Sequence, residues 1–223
     1  MIKAVLFDLD NTLIDFTRMK HESCRAAVSA MVGGGLPLDR QKAFDELFAL
    51  YGVHGIEDQK IFQKFLKKFL GKIDYRILSK GISAYRKAQA GFLEPYPGVR
   101  STLVKLKSKG LLLGIVTDAP RLKAWVRLSE MNLEDFFDVV ITLGDAKKLK
   151  PHKKPFQNAI RELNTNPGEI LFVGDNPARD IVGAKSTGMK TALAKYGQVF
   201  ENSGVRADYE LNKFSDILEI VGG

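Results

Sequence analysis

Three short apolar runs in this chain stop at the same kind of residue, and that coincidence limits the folds open to it. Residues 4–6 pass into Phe7-Asp8-Leu9-Asp10-Asn11-Thr12, residues 111–116 into Thr117-Asp118, and residues 170–173 into Gly174-Asp175-Asn176. Two similar runs lie at 139–141 and 191–194. Each is short, nearly continuous and rich in β-branched or bulky residues, the pattern of strands buried on both faces in a parallel sheet. Between them, residues 99–109, 121–130, 154–163 and 177–188 have helical length and mixed polarity. The first of these stops at Gly110, and the last begins at Pro177 and ends at Gly188, in keeping with the residues favoured at helix ends. Strand–helix alternation from residue 94 onward predicts an α/β fold, a doubly wound parallel sheet.

Residues 16–92 read differently. Phe44, Leu47, Phe48 and Tyr51 fall at i, i+3, i+4 and i+7, and Phe62, Phe65, Leu66 and Phe69 repeat that spacing. These are amphipathic helices whose aromatic stripes form a core of their own. Gly33-Gly34-Gly35 separates the first helix from the next, and Glu94-Pro95-Tyr96-Pro97-Gly98 is a stiff linker. The expected organisation is an α/β core from 1–15 and 93–223 interrupted by an all-α block at 16–92.

A chain of 223 residues is long enough to bury a sizeable core. Its 45% hydrophobic and 27% charged residues exclude a disordered chain or a coiled-coil rod. The run at 111–116 is far below the ~20 residues that span a bilayer. Asp8 and Asp10 interrupt the N-terminal run, so no secretory leader is read there. The single cysteine, Cys24, fits a reducing cytoplasm. The net charge of +8 has one dense block, Lys147-Lys148-Leu149-Lys150-Pro151-His152-Lys153-Lys154, read as a solvated lysine surface. No basic helix with interleaved aromatics points to nucleic acid. A small-molecule partner, no nucleic acid, no membrane and a monomer or homodimer are expected.

In an open parallel sheet ligands bind outside the carboxyl ends of the strands. Asp8, Asp10, Thr117 and Asp175 therefore converge if their strands run parallel. Gathered carboxylates repel one another unless a cation or protons offset them. Oxygen ligands alone select Mg²⁺, which keeps waters and substrate phosphate in its shell. A carboxylate is also a nucleophile that can form an aspartyl-phosphate. The charge on a transferring phosphoryl group calls for a hydroxyl, backbone N–H groups and a lysine, which Thr117, the turn after Asp8 and Lys150 are placed to supply.

With these motifs in order, the chain resembles the haloacid dehalogenase (HAD) superfamily in its phosphatase branch. Asp8-Leu9-Asp10-Asn11-Thr12 matches D-x-D-x-T. Thr117 ends the second strand, Lys150-Pro151 precedes a helix, and Gly174-Asp175 is followed by Asp180. The resemblance covers essentially the whole chain and implies a Rossmann-like core with the helical block as an inserted cap. It implies Asp8 as nucleophile and metal ligand, and Asp10 as general acid, then base, with its carbonyl on Mg²⁺. Asn11, Thr117, Asp118 and Lys150 are then expected to bind substrate, Lys150 also stabilising the charge around Asp8. Asp175 becomes a direct Mg²⁺ ligand, and Asp180 supports the metal shell or orients Lys150. Lys150 is preferred to Lys154 because its interval to Asp175 suits the family. Asp118 stands where the family most often has Asn, and an acid beside a phosphate is expected to point away or contact the cap.

The expected activity is Mg²⁺-dependent hydrolysis of a small phosphorylated metabolite. An acid at position 10 argues against a 2-haloacid dehalogenase, whose halide leaves without a proton. A sugar phosphomutase keeps that acid and is the rival; a non-catalytic binding protein on the same fold is the alternative of another class. Arg18, Lys20 and Arg86 are candidate contacts for the leaving group. His21, His54 and His152 are read as surface or core residues, Trp125 and Cys24 as packing residues, and Asp145 as a turn acid.

Overall fold

The computed structural model describes residues 1–199 and 204–222; the expected core range 93–223 therefore includes a few residues outside the description. The chain divides into two compact units, Met1–Asp15 with Glu94–Gly223, and Phe16–Leu93. In the first unit, strands β1 (Ala4–Phe7), β2 (Leu112–Val116), β3 (Val139–Ile141), β4 (Ile170–Gly174), β5 (Lys190–Ala194) and β6 (Tyr209–Leu211) form one sheet. Their order is β3-β2-β1-β4-β5-β6, and every neighbouring pair is parallel. Helices α5 (Val99–Ser108), α6 (Arg121–Glu130), α7 (Leu143–Ala146), α8 (Lys153–Leu163), α9 (Val182–Lys185) and α10 (Ile217–Val221) belong to the same unit.

Successive side chains of a strand point to opposite faces. Leu6 and Phe172 accordingly pack with Phe156 and Ala159 of α8 and with Ala184 of α9. Phe7 points the other way, its ring 5.4 Å from that of Phe214 and 6.4 Å from that of Phe137. All four residues of β1 and all five of β4 are buried, as central strands covered on both faces must be. Phe7 pairs with Ile115 on one side and with Val173 on the other. The carboxyl ends of β1, β2 and β4 therefore stop within one residue of one another.

The short helices α7 and α10 are not expected from the sequence, and two further elements differ from the expectation. Strand β6 has only three residues, Tyr209, Glu210 and Leu211, with only the last buried; so short an edge strand carries no apolar run. The helix expected at 177–188 is divided: a wider π-type turn at Pro177–Ile181 precedes α9, and Gly188 closes it at φ 86°. π-type turns are rare and frequently lie at functional sites.

The second unit consists of α1 (Phe16–Val32), α2 (Arg40–His54), α3 (Ile61–Leu70) and α4 (Tyr75–Phe92). Asp39 and Asp74 cap α2 and α4 by accepting backbone N–H bonds in their first turns. Phe44, Leu47, Tyr51, Phe62, Phe65 and Leu66 join Cys24, Val28, Met31 and Ile77 in one core, with Phe48 and Phe69 packed against it. The aromatic stripes are thus the packing surface of this unit. No helix of the described residues is long and apolar enough to cross a membrane.

Candidate active site

Asp8 follows β1 directly and is buried. Its backbone N–H donates to the Val173 carbonyl at 2.8 Å, extending the sheet ladder by one residue. Asn11 then turns the chain at φ 59°, a left-handed conformation that asparagine tolerates better than most residues. The turn is secured from elsewhere in the unit. The Tyr196 hydroxyl donates to the Thr12 carbonyl at 2.8 Å, and a Cβ on Gly197 would lie 1.7 Å from the Asn11 carbonyl oxygen. Position 197 must therefore be glycine for this turn to close.

Lys150 is buried, and its ammonium group joins the strand ends. Nζ lies 2.6 Å from Asp8 Oδ1 and 2.7 Å from Asp180 Oδ1, and donates to the Val116 carbonyl at 3.1 Å. Burial pulls the Lys150 pKa down, but the Asp180 and Asp8 carboxylates beside it more than offset this and hold it raised. Its lysine neighbours 147, 148, 153 and 154 are exposed, so the basic block is solvated apart from the residue at its centre.

Asp118 neither points away nor stands idle. Its Oδ1 accepts from the Lys150 backbone N–H at 2.9 Å, and its Oδ2 is 3.4 Å from Arg179 Nη1. An acid is accommodated here because its charge is spent on the segment that carries Lys150. Thr117 is buried at the end of β2, and its Oγ1 accepts from the Ala119 N–H at 3.1 Å. With that bond made, the hydroxyl proton remains as a donor.

Asp175 and Asp180 complete the cluster. The π-type turn swings Asp180 inward, where its Oδ2 also accepts from the Asn176 N–H at 3.0 Å. Burial raises the Asp180 pKa even though Lys150 opposes the shift. Asp175 is fully buried with no hydrogen-bond partner for either carboxylate oxygen. Burial, then the charges of Asp8 and Asp180, push its pKa up to about 8. One oxygen from each of Asp8, Asp175 and Asp180 lies within 4.8 Å of the others. A buried carboxylate without partners next to two more is costly unless protonated or bound to a cation. The donor set, all oxygen, fits a hard divalent ion.

Gly174 explains why glycine precedes Asp175. A Cβ there would sit 2.5 Å from Asp180 Oδ2 and 2.6 Å from Asp180 Cβ. Gly174→Ala is expected to destabilise the fold by about 1–3 kcal/mol, the usual range for overpacking, and to reduce turnover by moving Asp180 off Lys150. Denaturant unfolding and steady-state rates check this; an unchanged midpoint would contradict it.

Asp10 takes a different direction. Its Oδ2 is 2.7 Å from Nη1 of Arg127 on α6, and the Arg127 side chain is only 6% exposed. Arg127 was not anticipated from the sequence, although a signal exists: it shares the buried stripe of α6 with Ala124 and Leu128. A charged residue in such a stripe needs a partner. Trp125, expected to be a packing residue, is 41% exposed, because that stripe takes the inward face and turns Leu122, Trp125 and Val126 outward. Asp145 caps α7, accepting from the Thr142 N–H at 3.0 Å, and pairs with Arg121. His152 caps α8 by accepting from the Lys154 N–H, and the His21 ring lies 4.5 Å from the Phe48 ring, tilted by 55°. Lys20 is buried in the helical unit, 4.3 Å over the Tyr51 ring and 3.3 Å from the Tyr85 hydroxyl; Arg86 is exposed.

The family model described as haloacid dehalogenase-like hydrolase matches residues 5–194. Glyceraldehyde 3-phosphate phosphatase of Pyrococcus furiosus is 33% identical over 223 residues, 99% of this chain and 93% of the relative. Pyrophosphatase PpaX of Bacillus cereus is 32% identical over 227 residues, 99% of this chain and 96% of the relative. The crystal structure of a HAD phosphatase from Thermococcus onnurineus has a TM-score of 0.72 at 29% identity, covering 100% of this chain and 99% of that one. The chain belongs to the haloacid dehalogenase-like hydrolases.

Proposed function

We propose that this chain is a Mg²⁺-dependent cytoplasmic phosphatase that hydrolyses a small phosphorylated metabolite through an aspartyl-phosphate on Asp8. The chain is a hydrolase of small phosphate esters. The observation that carries the finer reading is the Asp8 carboxylate held by Lys150 at 2.6 Å, beside the partnerless oxygens of Asp175. Lys150 holds one oxygen of Asp8, orienting the carboxylate for in-line attack on phosphorus and countering the negative charge that gathers there. Thr117 donates its hydroxyl proton to a phosphoryl oxygen, with the backbone of the turn at Asn11 beside it. Asp10 gives a proton to the departing alkoxide and takes one from the attacking water in the second step. Asp8, Asp175 and the Asp10 carbonyl would hold Mg²⁺, with Asp180 in support; when bound, the ion screens the phosphoryl charge from the carboxylates. Asp180 keeps Lys150 in place. Residues 16–92 act as a cap that excludes water and selects the leaving group.

The test is phosphate release from glyceraldehyde 3-phosphate, pyrophosphate and p-nitrophenyl phosphate with Mg²⁺, with Ca²⁺ and with EDTA. Turnover is expected with Mg²⁺ only, because Ca²⁺ takes more ligands at longer distances. Equal turnover in EDTA would remove the metal. Isomerisation of a sugar phosphate without phosphate release would make the chain a mutase.

A further inference from the structure

We propose that Arg127 is a positioning residue for Asp10, holding its carboxylate in the orientation that takes the proton from water during breakdown of the aspartyl-phosphate. The inference rests on the phosphatase reading above. Arg127 and Asp10 are 117 residues apart in sequence, on α6 and on the turn after β1. Their contact is a 2.7 Å ion pair between a nearly enclosed guanidinium and a carboxylate 23% exposed. Its neighbours on the buried stripe are Ala124 and Leu128, and a charged side chain in such a stripe needs a partner. Replacing a whole buried ion pair by apolar residues is often neutral or stabilising, so stability alone does not account for this pair. A guanidinium is rigid and cannot lose its proton. Paired with Oδ2, it fixes the plane of the carboxylate.

The two chemical steps use Asp10 differently. In the first, an Asp8 oxygen bonds to phosphorus, the ester P–O bond breaks, and the leaving oxygen takes the proton of Asp10. In the second, a water oxygen bonds to phosphorus, the bond from phosphorus to the Asp8 oxygen breaks, and the water proton goes to the Asp10 carboxylate. Inorganic phosphate leaves and Asp8 is again a carboxylate. An ion pair with arginine matches the carboxylate form of Asp10, which acts in the second step. With p-nitrophenyl phosphate, whose leaving group departs without a proton, loss of Arg127 slows the second step alone.

The experiment uses the full chain with Mg²⁺ and p-nitrophenyl phosphate, comparing wild type, Arg127→Met and Arg127→Lys, with Asp8→Asn as blank. For Arg127→Met, kcat should fall by about 10- to 100-fold, within the range of acid–base contributions. KM should fall in proportion, leaving kcat/KM within about twofold, because kcat/KM reports only steps up to the first release. A burst of p-nitrophenol and trapped phosphoenzyme should accompany this, and Arg127→Lys should recover much of kcat. Unfolding midpoints establish that both variants fold. If kcat and kcat/KM fall together without a burst, or kcat barely changes, Arg127 does not position Asp10. If the wild type releases no phosphate with Mg²⁺, the phosphatase reading fails and Arg127 with it. Turnover in the wild type with no burst in Arg127→Met removes the Arg127 proposal alone.

Discussion

Asp8→Asn is expected to reduce turnover by at least about a thousandfold, the scale of losing a catalytic nucleophile, while leaving the fold intact. An amide offers no anionic oxygen to phosphorus. The substitution also takes one of three clustered acids out of the site, and Lys150 keeps Asp180 at 2.7 Å. The buried ammonium therefore stays paired, and the unfolding midpoint without metal is expected to stay level or rise. Steady-state phosphate release and a thermal melt check the two halves. An inactive, unfolded variant would show that the Asp8–Lys150 pair holds the fold together. An active variant would remove Asp8 as nucleophile.

Asp175→Asn is expected to stabilise the metal-free chain by about 2 kcal/mol or more near pH 8 and to abolish its response to Mg²⁺; one unit of pKa shift corresponds to about 1.4 kcal/mol. In the folded chain Asp175 holds its proton up to about pH 8, against a reference value of 3.8. Between these values the folded state binds a proton that the unfolded state has lost. Stability in EDTA therefore falls as pH rises from about 4 to about 8. An amide carries no charge to desolvate and donates to the neighbouring acids, so the variant flattens that slope. In the wild type a bound cation raises the midpoint by mass action; in Asp175→Asn that rise should vanish together with turnover. Melts in EDTA and in Mg²⁺ from pH 5 to pH 9 measure both effects. A variant less stable than wild type in EDTA would mean that Asp175 has a structural partner.

Much of this architecture is legible in the sequence because a parallel sheet imposes a strong pattern. Strands β1, β2, β3, β4 and β5 are short apolar runs since both of their faces must leave water. The acids after three of them stand out against those runs. The helical block is equally plain from its phenylalanine spacing. Strand β6 is not, since two of its three side chains are exposed. The π-type turn at Pro177–Ile181 is not legible either, since its composition is that of any helix start. The interval to Asp175 favours Lys150 over Lys154, but its burial between two solvated lysine pairs is a fact of packing alone.

Local chemistry thus determined which residues are present for the reaction: hydrophobic periodicity set the core, and the polar residues at the strand ends were exposed as exceptions to it. What they do to one another was decided in three dimensions. The register of β1, β2 and β4 brings Asp8 within one residue of the level of Thr117 and Asp175, but only the turn after β4 decides that Asp180 reaches Lys150. Asp118, suspected of pointing away, instead binds the Lys150 backbone. Asp10 meets Arg127 only because α6 packs with that one of its charged residues inward. Pairings of this kind join residues from about thirty to more than a hundred positions apart, and hydrogen bonds are lost beyond about 3.5 Å while exposed charges are screened beyond ~10 Å. A one-dimensional pattern records which side chains are apolar; it holds no record of which charges meet.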